Sequence, residues 1–225
     1  MPLTTLDITL IALLLAAVPA RALVRSQSAE TWRDRPRLTR YFATMRDIAL
    51  LLAALAFLWV NAKRPIAWLG LDIPIGPPGL IGLAIAAALI GVLGLASARA
   101  RPRPDMKRPD AAAMFPETPE EQRAFVALGL FVGIGWELLY RGYLLWALTP
   151  LIGQVAAIAL AGTAYGVAHG FKSWPQFIGS IVMSLLFTVA YVATESLWWL
   201  MLIHTALGFV GWLSYRRLQG RASTT

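Results

Sequence analysis

Four polar residues stand inside apolar runs of this 225-residue chain: Glu137 and Arg141 in GIGWELLYRGYL, His169 in AYGVAHG, and His204 in LMLIHTALGF. A carboxylate or guanidinium near the middle of a bilayer costs roughly 2.5–3.5 kcal/mol on the insertion scale, so each such residue needs a partner, a cavity or a purpose. Glu137 and Arg141 are four apart, on one helix face, with Glu N-terminal to Arg, the better orientation for a helical pair. Tyr165 and His169 share a face at the same spacing, as do His204 and Gly208. Taken singly, the Glu–Arg pair reads as two charges neutralising each other, and each His as a helix-packing side chain. Taken together, they make a water-activating set: a carboxylate to accept the proton, imidazoles to polarise a carbonyl or hold a metal, and an Arg to orient the carboxylate.

The surrounding composition dictates what carries these residues. Hydrophobic residues make up 58% of the chain, charged ones 14%, and the mean hydropathy is +0.62. A soluble domain of this length could not hide that much apolar surface. The pattern predicts an all-α polytopic membrane bundle of about seven spans, near 8–24, 47–61, 80–98, 124–148, 152–170, 176–194 and 197–215, in one integral membrane domain over 1–225. The first segment, with Asp7, Pro19 and Arg21 and no basic leading region, reads as a retained span rather than a cleaved signal. Sixteen of the 20 Lys and Arg fall in the loops after spans one, three and five and in the tail, against Lys63 and Arg64 on the other side. That bias predicts an outside N-terminus and a cytoplasmic C-terminus, as in a multi-pass protein of a bacterial inner membrane. The net charge of +8 then belongs to loops facing anionic lipid, and nucleic acid is not an expected partner. The absence of Cys excludes disulfides, thiolate metal sites and a cysteine nucleophile.

Arg99–Pro119 is linker-like, rich in Pro, basic first and acidic after. Thr118-Pro119-Glu120-Glu121 predicts a capping box, with Thr118 as N-cap, Pro119 at N1 and Glu121 at N3. Gly133, Gly135 and Gly142 around the Glu/Arg pair suit close helix packing or a kink. Trp198 and Trp199 suit an interfacial aromatic belt.

At these residues the chain resembles the CPBP, or Abi, family of intramembrane peptidases, to which the type II CAAX prenyl endopeptidases belong. The family's Glu-Glu-x-x-x-Arg motif corresponds to Trp136-Glu137-Leu138-Leu139-Tyr140-Arg141, followed here by Gly142 and Tyr143. Its aromatic-x-x-x-His motif corresponds to Tyr165 and His169. Its His-x-x-x-Asn/Asp motif corresponds to His204 and Gly208, preceded by Thr194-Glu195-Ser196-Leu197-Trp198, which is similar to the family's Thr-Gly-Ser-Leu-Trp. The resemblance covers about residues 120–215. It implies Glu137, Arg141, His169 and His204 as catalytic residues, Tyr165, Trp136 and Gly208 as substrate-contacting positions, and a membrane-associated peptide or protein as substrate.

Two positions depart from the pattern: Trp136 stands where the family has its first Glu, and Gly208 where it has Asn or Asp. No metal is expected. Glu137, His169 and His204 could ligate zinc with an open fourth position, but no carboxylate would then remain as base. The count favours Glu137 activating water with His204 stabilising the oxyanion. The rival reading is a catalytically impaired family member serving as scaffold, chaperone or accessory subunit of a membrane complex. Weaker alternatives are a transporter, for which no repeat is visible, and a serine peptidase using Ser180 or Ser184 with His204, for which no nucleophile elbow is visible. One difficulty remains within the span scheme: straight helices would leave Glu137, His169 and His204 at different depths.

Overall fold

In the computed structural model the described residues are 3–28, 35–99 and 113–222, with the backbone alone described for 218–222. Seven helical segments follow one another: α1 (Thr5–Gln27), α2 (Arg37–Asn61), α3 (Pro77–Arg99), α4 (Pro119–Ile152), α5 (Gln154–Val167), α6 (Trp174–Thr194) and α7 (Trp198–Ala222). No strand occurs among the described residues. The first four and α6 are long and apolar enough to cross a membrane, and α5 is a shorter apolar helix. The chain is a multi-pass membrane protein built as a helical bundle, with the broad apolar exteriors of α3 and α6 available to lipid.

The second span needs correcting. The sequence suggests a short helix over 47–61, whereas α2 is 25 residues long and begins at Arg37. Its first three turns carry Arg37, Arg40 and Arg46, which lower the local hydropathy, yet this stretch is packed rather than loop. Arg40 is buried and donates to the Ala113 carbonyl at 2.7 Å, and the Tyr41 hydroxyl donates to the Met114 carbonyl. Asp47, within α2, pairs with Arg21 and Arg25 near the C-terminal end of α1, tying the two helices together. Most of the Arg99–Pro119 linker, residues 100–112, lies outside the described residues. Its far end behaves as expected: Thr118 caps α4 and the Glu121 side chain returns to the N-cap backbone.

α4 packs against α2 and α7, α7 also against α3, and α5 against α6. Two helices are locally widened to π geometry, α1 at Leu13–Ala17 and α4 at Leu138–Leu144. Such turns re-aim side chains inside an otherwise regular helix and recur at functional sites. The two wide turns meet, because the Tyr140 hydroxyl donates to the Leu14 carbonyl at 2.9 Å.

A second buried ion pair was not foreseen. Asp7 and Arg64, 57 residues apart, form a bidentate pair with both N···O distances 2.7 Å, and the Tyr143 hydroxyl reaches Asp7 at 3.1 Å. The guanidinium lies beside the edge-to-face pair of Trp59 and Trp146, 5.4 and 4.8 Å from their centroids. Burial lowers the proton affinity of an arginine, but the hydrogen bond from Arg64 to Asp7 dominates and raises its pKa. Asp7 thus has a structural use in place of the merely negative one the sequence offered. Trp199 also differs from expectation: it is buried, and its indole N–H donates to Thr194 at 2.9 Å, so it is a core residue. Facing Gly82 of α3, where a Cβ would press on its ring, it fills a space between helices that lipid cannot reach.

Candidate active site

The site begins with how closely α4 and α7 approach. A Cβ on Gly133 would lie 2.7 Å from the backbone nitrogen of Thr205 and 2.8 Å from its Cα. Only a residue without Cβ allows this contact, and it brings His204 alongside Glu137 one turn further along α4. Gly133→Ala is therefore expected to force α7 outward and destabilise the protein by about 1–3 kcal/mol, as overpacking does. Thermal melting in detergent tests this; an unchanged melting temperature would contradict the close approach.

Glu137 is 2% exposed and Arg141 3%. Glu137 Oε2 accepts from Arg141 Nη1, so the i,i+4 pair read from the sequence is formed. Glu137 Oε1 lies 2.8 Å from His204 Nδ1 and 3.2 Å from the Tyr165 hydroxyl. Arg141 also stacks over the Tyr165 ring at 4.8 Å and approaches the Ser184 carbonyl at 3.4 Å. Three helices, α4, α5 and α7, thus converge on one carboxylate, with α6 closing the fourth side.

The ring nitrogens can be assigned from their partners. His169 Nδ1 sits 2.9 Å from the Tyr165 carbonyl, which can only accept, so Nδ1 carries the proton and Nε2 the lone pair. His204 Nδ1 faces an ionised carboxylate, so it too donates, leaving Nε2 as acceptor. Each imidazole is held through its Nδ1. A cavity of about 350 Å³ is lined by Glu137, Arg141, Tyr165, His169, Ser180, Ser184 and His204 on its polar side, and by Met183, Phe187, Leu200, Ile203 and Leu207 on its apolar side.

The depth conflict is resolved by shape rather than by register. α5 is only 14 residues long and restarts after Gly153, whose positive φ of 79° turns the chain sharply, and α4 is locally widened at 138–144. His169 then lies in the same cavity as Glu137 and His204.

Trp136 and Gly208 fall elsewhere. Trp136 is partly buried against the Tyr140 ring at 5.9 Å, and Gly208 is exposed with open space around its Cα; neither lines the cavity. Ser184 was missed as a site component except in the serine-peptidase alternative. It is buried on α6, its Oγ has no hydrogen-bond partner among the described residues, and it lines the cavity beside Arg141. No sequence signal distinguishes it from its neighbours on α6.

The donor set does not suit a metal. Among the described residues no three His, Asp or Glu side chains are grouped to hold one, and Glu137 spends its oxygens on Arg141, His204 and Tyr165. No step of the chemistry below passes through a metal.

A membrane-embedded helical bundle with a buried carboxylate, two imidazoles and a cavity defines a class of protein, the polytopic membrane proteins with an internal polar site. Within that class, residues 121–210 match the family model described as type II CAAX prenyl endopeptidase Rce1-like, less than half of the chain but the part that holds every residue of the site. The match is consistent with membership of the CPBP family and with a CAAX-type intramembrane protease fold. No curated protein and no solved structure matches the chain.

Proposed function

We propose that the protein is an intramembrane endopeptidase that hydrolyses a membrane-associated peptide or protein, with Glu137 activating water through His204. The observation that carries this reading is the 2.8 Å contact between Glu137 Oε1 and His204 Nδ1 at the wall of the cavity. Glu137 has its oxygens engaged, so the proton of the attacking water goes to His204 Nε2. The imidazolium so formed is stabilised by Glu137, which Arg141 keeps ionised and oriented. Water oxygen bonds to the scissile carbonyl carbon, the C–N bond breaks, and His204 returns the proton to the leaving amine. His169, with its Nε2 lone pair, is the second proton acceptor in the cavity, and Tyr165 fixes both imidazoles, one through its hydroxyl and one through its carbonyl. The apolar wall of Met183, Phe187 and Leu207 suits a substrate delivered from lipid. The test is hydrolysis of a lipid-anchored reporter peptide by the protein in liposomes, compared with Glu137→Gln.

One observation favours the rival scaffold reading: the engagement of Glu137 by three side chains is also what a purely structural carboxylate requires. The two readings part company in the activity of that variant.

The orientation proposed is N-terminus outside and C-terminus cytoplasmic, supported by the basic loops. Reporter fusions after Arg108 and Arg221 should read inside and a fusion after Asp72 outside. An outside reading at Arg108 would break the seven-span scheme.

A further inference from the structure

Between Pro175 and Val189 the apolar helix α6 carries four side chains with N–H or O–H groups, Gln176, Ser180, Ser184 and Thr188, each four residues from the last. That spacing sets them in one row along the helix, a polar stripe for which a helix packed only against lipid and apolar neighbours has no use. The spacing marks the row, and burial then distinguishes its members.

At the outer end the row is tied to the chain before the helix. Gln176 Oε1 accepts from the Lys172 backbone N–H at 3.1 Å, Gln176 Nε2 donates to Ser180 Oγ at 2.8 Å, and Ser180 Oγ donates to the Gln176 carbonyl at 2.9 Å. At the inner end Thr188 donates to the Ser184 carbonyl at 2.7 Å, which Arg141 also approaches through Nη2. Ser184 differs from the rest: it is 4% exposed, and its Oγ finds no hydrogen-bond partner among the described residues. Nε of the neighbouring Arg141 is buried and finds none either. Leaving two such groups dry in one wall is costly, and buried water characteristically joins polar groups that the protein itself does not satisfy.

The cavity of the Glu137 site supplies the route. Along its polar lining His169 is exposed, Ser180 half-buried, and Ser184 and Glu137 buried, so the lining leads from the outside of the protein inward. At about 350 Å³ the cavity has room for several water molecules of roughly 30 Å³ each. The adjacent row of α6, Gly179, Met183 and Phe187, lines the same cavity and is apolar. One helix thus turns one row to water and the next to an apolar substrate.

We propose that the polar row of α6 is the water supply of the site: water enters beside His169, passes Ser180, and is held by Ser184 Oγ and Arg141 Nε next to Glu137 and His204. This gives the source of the attacking water, and its consequence for turnover rests on the peptidase reading above. Hydration of the row does not rest on that reading and is measured without it.

The chain has no Cys, so each single replacement introduces one thiol. The probe is 2-(trimethylammonium)ethyl methanethiosulfonate, a permanently charged thiol reagent, present on both sides of liposomes that hold the full chain. Lys172→Cys, exposed ahead of α6, should be modified fastest, and Ser180→Cys and Ser184→Cys more slowly. Val189→Cys, exposed on α6 outside the row, should react about tenfold more slowly than Ser184→Cys, or less, because a charged reagent is excluded from lipid. Adding Ser180→Leu to Ser184→Cys obstructs the path and should slow modification about tenfold, with the melting temperature of Ser184→Cys kept. In the reporter-peptide assay Ser184→Ala should lower kcat about tenfold with KM unchanged, the effect of losing one hydrogen bond to the water. A folded Ser184→Cys no more reactive than Val189→Cys would overturn the proposal, as would a Ser184→Cys thiol that Ser180→Leu leaves equally reactive. If Ser184→Cys does not fold, Ser180→Cys against Val189→Cys decides by the same comparison. Reactive thiols in a protein whose wild type hydrolyses no peptide would leave the hydrated row standing and remove the peptidase reading. Hydrolysis by a wild type whose row thiols are unreactive would do the reverse.

Discussion

Arg141→Ala should be the most damaging single change for folding, lowering stability by about 3–5 kcal/mol, the usual cost of leaving one member of a buried ion pair alone. Glu137 would keep its contacts with His204 and Tyr165 but lose the guanidinium that pairs with it, at a site that is almost fully buried. The loss is more than electrostatic. Arg141 also stacks on Tyr165 and Phe187, with its guanidinium 4.8 and 5.9 Å from the two rings, so truncation opens a void between α4, α5 and α6. Combining Glu137→Gln with Arg141→Gln removes both charges while keeping most of the volume, and should recover part of the folded yield. Yield and melting temperature in detergent decide the matter. A wild-type melting curve for Arg141→Ala would mean that the pair is solvated, against its near-complete burial.

Such a prediction could be framed from sequence because the spacing of Glu137 and Arg141 is local: four residues on a helix meet whatever else the chain does. The same holds for the capping box at Thr118, which depends on four consecutive residues. Segment number was legible too, since apolar runs long enough to span a bilayer have few alternative uses. What escaped was non-local. Asp7 and Arg64 are separated by 57 residues, and each alone reads as a charge near a span end. The start of α2 was hidden because hydropathy treats Arg40 as water-facing, while the structure buries it against the segment after the linker. The convergence of His169 with Glu137 depended on a 14-residue α5 and a π-widened α4, and hydropathy reports neither. Spacing indicated which residues could act together, and only packing at Gly133 shows how His204 comes within reach.

The second large effect concerns catalysis, and it separates a peptidase from a scaffold. Glu137→Gln preserves size and can still meet Arg141 and His204, but the amide cannot stabilise an imidazolium as a carboxylate does. Hydrolysis of the lipid-anchored peptide should fall by at least the roughly 10²-fold typical of lost acid–base assistance, with kcat falling more than KM rises. His204→Ala should lose as much, because it removes the proton acceptor itself, and the double variant should be little worse than either single one, since the two residues act as a unit. Losses that instead multiplied in the double variant would mean that Glu137 and His204 act in separate steps. His169→Ala should be informative in a different way: its Nδ1 is held by the Tyr165 backbone carbonyl, so activity can change without disturbing the Glu137–Arg141 pair. If the wild type hydrolyses the peptide and Glu137→Gln does so equally well, the mechanism is wrong. If the wild type shows no hydrolysis while Glu137→Gln retains the protein's biological role, the carboxylate is structural and the scaffold reading stands.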